Sequence, residues 1–176
     1  VLALFVPQLP SYAGEYSAAD IAWILVATAL VFIMTPGLAF FYGGMVHRKN
    51  IISTMIKSMV SAGIVSVIWI SFGYSLCFGE SINGIIGNPM THLFFKGVVD
   101  GAPTLQGGSA MTIPLLLFAV FQLMFAIITP GLVVGAVAER IKFTSYALFI
   151  ILFIILVYAP LAHWSWHPQG FLFKMG

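Results

Sequence analysis

The sequence predicts an all-α protein, a bundle of membrane-spanning helices, and three observations support this fold class. Hydrophobic residues make up 61% of the 176 residues and charged residues only 7%, whereas a soluble domain carries about 25% charged residues. The mean hydropathy is +1.07. The few charged residues gather in short clusters between long apolar stretches, as they do in the connections of a polytopic membrane protein.

Four apolar stretches are long enough to be the spans. The hydrocarbon core of a bilayer requires roughly 20 apolar residues per helix. The stretches that meet this length are, to within a few residues, 21–44, 52–78, 111–138 and 145–165. Segment 79–110, between the second and third stretches, is predicted to be a loop because it is rich in Gly, Asn and Pro.

The distribution of Lys and Arg predicts the orientation of the bundle. Lys and Arg concentrate on the cytoplasmic side of membrane spans. The first connection contains HRKN and the third contains ERIKF, whereas Lys96 and Lys174 lie at the opposite ends of the spans. We therefore expect the amino terminus and the 79–110 loop to lie outside the cell.

This orientation leads to expectations for single side chains. Lys57 lies near the inner end of its span, from which its ammonium group would reach the interface by snorkelling. His92 belongs to the outer loop and is expected in water. Trp69, Trp164 and Trp166 lie towards the outer ends of their spans, as interfacial tryptophans do.

Residues 1–19 are expected to form an extracellular amino-terminal segment, and residues 20–176 to belong to the membrane domain. The stretch VLALFVPQLPSYA at 1–13 fits the remnant of a secretory signal, in which a short apolar piece precedes small residues. It fits a disordered or interfacial tail equally well, and the residues do not decide between the two.

Prolines and glycines interrupt the spans. Pro36 and Pro130 each remove a backbone donor, which a membrane tolerates where neighbouring helices satisfy the backbone. Small residues allow helices to approach closely, and the candidates are Gly43, Gly44, Gly131 and Gly135. Packing alone explains all of these positions.

Other kinds of site lack candidate residues in the sequence. No Gly-rich phosphate loop, nucleophile motif or carboxylate pair is present, so the sequence predicts no enzyme, catalytic residue or cofactor. A net charge of +2 without a basic stripe argues against nucleic acid as a partner. His163 and His167 have a metal-binding spacing, but Pro168 is expected to turn His167 away from the helix. The two histidines should then not share a face, and no metal site is predicted.

Four segments together resemble the ammonium transporter family (Amt/Mep/Rh). They are MTPGLAFFYGGMVHRKN at 34–50, FGYSLCFGE at 72–80, FQLMFAIITPGLVVGAVAERIKF at 121–143 and YAPLAHWSW at 158–166. The similarity extends over residues 20–166. Its FYGG-to-RKN turn and its ITPGL-to-AER run lie at the expected places between spans, which hydrophobic composition alone would not produce.

The resemblance implies a polytopic bundle of eleven spans, of which about four are present here. It also implies assembly as a homotrimer with one pore in each subunit. The aspartate of the recruitment site and the pore histidine pair would follow Gly176. We therefore expect the chain to be the amino-terminal part of the membrane domain, unable to form a complete pore by itself.

The resemblance assigns roles to four side chains. Phe121 and Phe125 are four residues apart on one helix face, and they match phenylalanines that gate the pore. Phe125 and Trp166 match the aromatic residues that recruit ammonium at the outer mouth. Tyr42 matches a tyrosine of the inner pore, where its hydroxyl would either bind a neutral passenger or satisfy a kinked backbone. On spacing alone, packing would explain the phenylalanine pair and an interfacial role would explain Trp166.

The implied function is transport of ammonium or ammonia across the cell membrane. Burying a bare cation costs on the order of tens of kcal/mol, and cation–π contacts return only about 0.5–2 kcal/mol. The rings would therefore recruit the cation, which would cross as ammonia through an apolar pore, although the four spans show no candidate buried acid or base. The alternative is an ammonium sensor that couples the same membrane body to a cytoplasmic signalling domain. A cytoplasmic regulatory protein is a further partner that the resemblance suggests.

Overall fold

The computed structural model describes residues 16–100 and 111–175, and in this part the chain is a helical membrane bundle with one small hairpin. The helices are α1 (Ala18–Met45), α2 (Ile51–Ile68), α3 (Tyr74–Phe78), α4 (Leu115–Val137), α5 (Phe143–Phe153), α6 (Ala159–Trp166) and α7 (Phe171–Met175). The hairpin pairs β1 (Ser81–Ile82) with β2 (Ile86–Gly87) in antiparallel fashion. Most of the expected extracellular segment, residues 1–15, lies outside the described residues.

Four helical runs in the described residues are long and apolar enough to cross a membrane, which confirms the predicted fold class. They are Ala18–Met45, Arg48–Phe78, Leu115–Val137 and Phe143–Met175. The second and fourth runs contain π-helical turns, Trp69–Gly73 and Ile154–Tyr158, which join α2 to α3 and α5 to α6. Pro36 lies inside α1 and Pro130 inside α4, and both helices continue through their proline.

Hydrogen bonds at both ends hold α1 beside α4. At the amino-terminal ends, the Ser17 N–H donates to the Thr112 carbonyl at 2.9 Å, and the Thr112 hydroxyl donates to the Asp20 carboxylate at 2.6 Å. Ser17 also caps α1 by accepting from the Asp20 N–H. At the carboxyl-terminal ends, the His47 N–H donates to the Glu139 carboxylate at 2.8 Å. The two helices therefore run side by side in the same direction.

The glycines of α4 bring it close to α1. A Cβ atom added at Gly135 would lie 2.5 Å from the ring of Tyr42, and one added at Gly131 would lie 3.4 Å from Leu38. Leu38 and Tyr42 are themselves four residues apart, so the two pairs interlock along one helix face. The predicted close helix approach at Gly131 and Gly135 is thus an approach to α1.

Gly43 and Gly44 differ in their surroundings. A Cβ at Gly43 would lie 3.0 Å from Met55 of α2, whereas one at Gly44 would meet none of the described atoms within 4 Å. Gly43 also belongs to the buried stripe of α1, with Thr35 and Ala39. Within residues 16–100 and 111–175, only the first of the two glycines therefore makes the predicted close approach.

The two charged connections meet at one end of the bundle. Glu139 accepts from the His47 N–H and, at 3.0 Å, from the Asn50 side chain. Lys57 is buried and donates to the Ile141 carbonyl at 3.2 Å. The Lys57 ammonium group thus reaches the third connection, and its snorkelling to the membrane interface stays a prediction.

Residues 79–100, the described part of the predicted outer segment, are folded and cover the end of α3. His92 is only 8% exposed. Its backbone N–H donates to the Ser75 hydroxyl at 2.7 Å, and its ring lies 5.5 Å from that of Tyr74. The expectation that His92 lies in water is wrong, since residues in α3 provide it with both a polar and an aromatic partner.

The Gly135 contact predicts a stability difference between two matched variants. Overpacking costs about 1–3 kcal/mol, and Gly→Ala in a helix gains about 1 kcal/mol in propensity. Because that gain is common to both sites, we expect Gly135→Ala to be less stable than Gly131→Ala by about 1–3 kcal/mol. Thermal unfolding of the full-length protein in detergent measures this difference. Equal stability of the two variants would show that α1 does not press on Gly135.

Glu139 predicts a pH dependence. Hydrogen bonds from Asn50 and from the His47 backbone lower the pKa of the Glu139 carboxyl below its ordinary value of 4.5. A lowered folded-state pKa gives stabilisation that is present above the unfolded-state pKa and is lost as the pH falls through the folded-state pKa. Glu139→Gln should therefore lower the melting temperature at pH 7 and should lower it less at pH 3. Glu80→Gln, which removes a carboxylate from the outer segment, is the control.

Candidate functional site

Two phenylalanine rings stand together in the first half of α4. Phe121 and Phe125 are four residues apart, and their ring centroids are 5.1 Å apart in an edge-to-face arrangement of 78°. Both side chains are half-buried. Edge-to-face pairing is the favourable geometry for two rings, so the pair forms a fixed aromatic surface on this helix.

Trp166 extends this surface from another helix. It is the last residue of α6, its ring lies 6.4 Å from that of Phe125, and the side chain is 42% exposed. The structure thus brings together three of the residues singled out in the sequence. We refer to Phe121, Phe125 and Trp166 as the aromatic site. Its three rings are able to present faces to a small cation.

Two buried aromatic side chains, Tyr158 and Trp69, support the aromatic site within the bundle. The Tyr158 ring lies 6.5 Å from Trp166 and 6.4 Å from Trp69. Trp69 is fully buried, and its indole N–H donates to the Ala119 carbonyl of α4 at 3.1 Å. The expectation that Trp69 is an interfacial residue is wrong, because its indole finds a polar partner within the bundle.

The hairpin of β1 and β2 holds the end of α6. The Trp164 indole N–H donates to the Ile85 carbonyl at 2.6 Å, and the Phe171 N–H donates to the Gly84 carbonyl at 3.3 Å. Gly170 permits the chain to fold back here, because a Cβ would collide with the carbonyl oxygens of His163 and Trp164. The position of Trp166 is therefore constrained by the strand connection as well as by its own helix.

The two histidines near this end of α6 stack on each other. Their ring centroids are 4.5 Å apart and the planes differ by 18°. His163 Nδ1 donates to the Cys77 carbonyl at 2.8 Å, since a carbonyl only accepts, and Nε2 then accepts from the Ser81 hydroxyl at 2.8 Å. His167 does leave the helix, with φ −82° and ψ 135°.

The expectation that the two rings would not share a face is nevertheless wrong. The extended backbone at His167 turns its ring back over His163. Both rings are fully buried, which corrects the expectation that the spans hold no buried base. Within residues 16–100 and 111–175, no group of three or more His, Cys, Asp or Glu side chains is placed to hold a metal ion.

Tyr42 lies apart from the aromatic site, near the carboxyl-terminal end of α1. Its hydroxyl donates to the Leu132 carbonyl of α4 at 2.8 Å, and its ring borders a cavity of about 310 Å³ that also touches Glu139. Of the two roles open to this hydroxyl, the structure contains the bond to a helix backbone. A place in the pore lining stays a prediction.

Sequence reasoning missed Trp69 and Tyr158 as supports of the aromatic site. Trp69 is 50 residues from Ala119 in sequence, and no local pattern indicates such a contact. Trp69 is the first residue of one π-helical turn, and Tyr158 is the last residue of the other. π-helical turns are common at functional sites, but the sequence does not show where they occur.

Comparisons with known proteins identify relatives of the chain. The model of the Ammonium Transporter Family matches residues 22–176. An ammonium transporter of Mycobacterium bovis is 43% identical over 173 residues, which cover 93% of this chain and 36% of that protein.

Two solved structures have the same fold. Mep2 of Saccharomyces cerevisiae superposes with a TM-score of 0.80 and 36% identity, covering 92% of this chain and 35% of that one. A structure described as a sensor Amt protein superposes with a TM-score of 0.76 and 27% identity, covering 89% and 38%. The chain thus spans between 35% and 38% of the length of these two structures.

The buried Trp69 predicts a stability loss that an exposed tryptophan does not. Trp69→Phe removes the donor to Ala119 and part of a buried ring, and we expect it to lower the free energy of unfolding by about 1–3 kcal/mol. Trp23 is 71% exposed, so Trp23→Phe makes the same chemical change without these losses. Thermal unfolding of both variants of the full-length protein in detergent tests this. A Trp69→Phe variant as stable as Trp23→Phe would contradict the central role of the indole.

Proposed function

Because the chain belongs to the ammonium transporter family, we propose that it forms the outer wall of a pore that transports ammonium or ammonia. The observation that carries the proposal is the aromatic site, in which Phe125 and Trp166 come from different helices and lie 6.4 Å apart. Ring faces attract a small cation, and no covalent chemistry is required of them. Phe125 and Trp166 recruit the ion, and Phe121 with Phe125 forms the gate.

The free energies involved show that recruitment of the ion and its passage through the membrane are separate steps. A cation–π contact contributes about 0.5–2 kcal/mol, whereas transfer of a bare cation into a medium of low dielectric costs on the order of tens of kcal/mol. The aromatic site therefore selects and concentrates ammonium but does not carry the ion through the membrane. The passenger crosses as ammonia, and its proton is taken up by groups in other parts of the transporter.

His163 of this chain does not serve that proton transfer. Both nitrogens of His163 are occupied, by the Cys77 carbonyl and by the Ser81 hydroxyl. The two His163 bonds anchor Cys77 and Ser81 to α6, which is a structural role. His167 accepts from the Gln169 N–H at 3.1 Å and lies flat against His163, and its Nε2 has no hydrogen-bond partner among residues 16–100 and 111–175.

The surroundings of the transporter follow from the same family membership. We place it in the cell membrane, with its amino terminus outside and the connections that carry Arg48 and Arg140 inside, as the positive-inside rule requires. It assembles as a homotrimer, and a cytoplasmic regulatory protein binds the inner face.

A second candidate function is ammonium sensing. The observation that favours it is the likeness to the sensor Amt protein, at 27% identity. A sensor needs the same recruitment wall, so the aromatic site does not discriminate between the two functions. A cytoplasmic signalling domain in the same gene, together with the absence of net uptake in cells, would favour the sensor.

Replacement of Trp166 tests the proposal. Trp166→Leu in the full-length protein removes one ring face, and we expect the KM for methylammonium uptake to rise about 2- to 30-fold, as the loss of one cation–π contact implies. Trp23→Leu, at an exposed position of α1, is the matched control and should leave the KM unchanged. Uptake is measured in cells without other ammonium transporters and is normalised to the amount of protein in the membrane.

An unchanged KM in Trp166→Leu, at normal membrane abundance, would contradict the assignment of this surface as the recruitment site. An equal rise in both tryptophan variants would indicate a general packing defect and would contradict it as well.

A further inference from the structure

We propose that Tyr158 is a positioning residue for Trp166, and that its ring fixes the orientation of the tryptophan at the recruitment site. The proposal rests on the proposed function, because it gives Tyr158 no contact with the passenger. Tyr158 is 7% exposed, whereas Trp166 is 42% exposed. Trp166 therefore has an open face, which the proposed function assigns to the cation, and Tyr158 lies on its other side.

The geometry of the two rings supplies that support. Their centroids are 6.5 Å apart and their planes differ by 67°, which lies in the edge-to-face range that aromatic pairs favour. Edge-to-face contacts depend on angle, so the Tyr158 ring restricts rotation of the indole. A side chain without a ring would fill the space but would not impose this restriction.

Residue 162 makes the contact possible. Ala162 lies four residues after Tyr158 and four before Trp166, so all three residues lie along one side of the helix. Its methyl group is small, and it is 4% exposed. Tyr158, Ala162 and Trp166 also border one cavity of about 220 Å³. A larger residue at position 162 would separate the two rings.

The support is anchored to the helix that carries the phenylalanines. Tyr158 packs edge-to-face on Trp69, with centroids 6.4 Å apart and planes at 62°. Trp69 in turn donates to the Ala119 carbonyl, six residues before Phe125 in α4. A continuous series of contacts therefore leads from Ala119 of α4 through Trp69, Tyr158 and Trp166 back to Phe125 of α4. Because both Phe125 and Trp166 are held by these contacts, the spacing between their rings is fixed.

The hydroxyl of Tyr158 has no part in this role. It is buried and has no hydrogen-bond partner among residues 16–100 and 111–175. The ring alone makes the contacts with Trp69 and Trp166. Phenylalanine retains that ring and removes only the unpartnered oxygen, so Tyr158→Phe is the matched control for the loss of the ring.

The experiment measures methylammonium uptake by the full-length protein, with KM and maximal rate normalised to membrane abundance. Tyr158→Leu should raise the KM about 2- to 10-fold, as expected from the loss of one aromatic pair, with little change in the maximal rate per protein. Tyr158→Phe should keep the KM within about 2-fold of the wild type, since the pair is retained. A Tyr158→Leu/Trp166→Leu double variant should be no worse than Trp166→Leu, because Tyr158 acts only through Trp166.

Three results would overturn the inference. They are a KM that is unchanged in Tyr158→Leu while Trp166→Leu raises it, a Tyr158→Phe variant as impaired as Tyr158→Leu, and additive effects in the double variant. A Trp166→Leu variant without effect is a different result and refutes the proposed function itself. If Tyr158→Leu does not reach the membrane, Tyr158→Met replaces it in the experiment. Methionine is similar in volume to leucine and also lacks a ring, so the same outcomes apply.

Discussion

The hydrogen bond from the Trp69 indole to the Ala119 carbonyl is the interaction on which the described bundle most depends. Within a membrane, a buried N–H group has no water to bind and must find an acceptor in the protein. Trp69 is fully buried and meets this requirement in α4. The bond fixes the second span against the third, and the rings of Tyr74, Phe78 and Tyr158 then pack on the indole.

The same requirement explains where three other polar side chains are directed. The Tyr42 hydroxyl, the Lys57 ammonium group and the His163 ring all donate to backbone carbonyls of other elements. These groups hold the scaffold together and are thereby occupied. The aromatic site instead presents apolar ring faces, which need no hydrogen-bond partner. A cation is the class of ligand that such faces attract.

The sequence was sufficient for the features that depend on local pattern, and insufficient for contacts between distant segments. The four apolar runs follow from length and composition, and the shared face of Phe121 and Phe125 follows from helical spacing. Trp69 was predicted at the interface because a tryptophan near a span end usually lies there. Its acceptor, the Ala119 carbonyl, is 50 residues away in the sequence, and no local pattern indicates this contact. His167 shows the same limit, because Pro168 predicted its departure from the helix but not the return of its ring over His163.

The arrangement of the aromatic site also indicates what it leaves to other parts of a transporter. Three rings on two helices cover one side of a small cation and contribute at most a few cation–π contacts, each of about 0.5–2 kcal/mol. That amount cannot replace the hydration shell of an ion, so a cation held here keeps water on its open side. A wall of this kind must therefore be rigid, since a weak contact discriminates between ions only when its geometry is fixed. The buried ring of Tyr158 beside the half-exposed ring of Trp166 combines a fixed support with an accessible ring face.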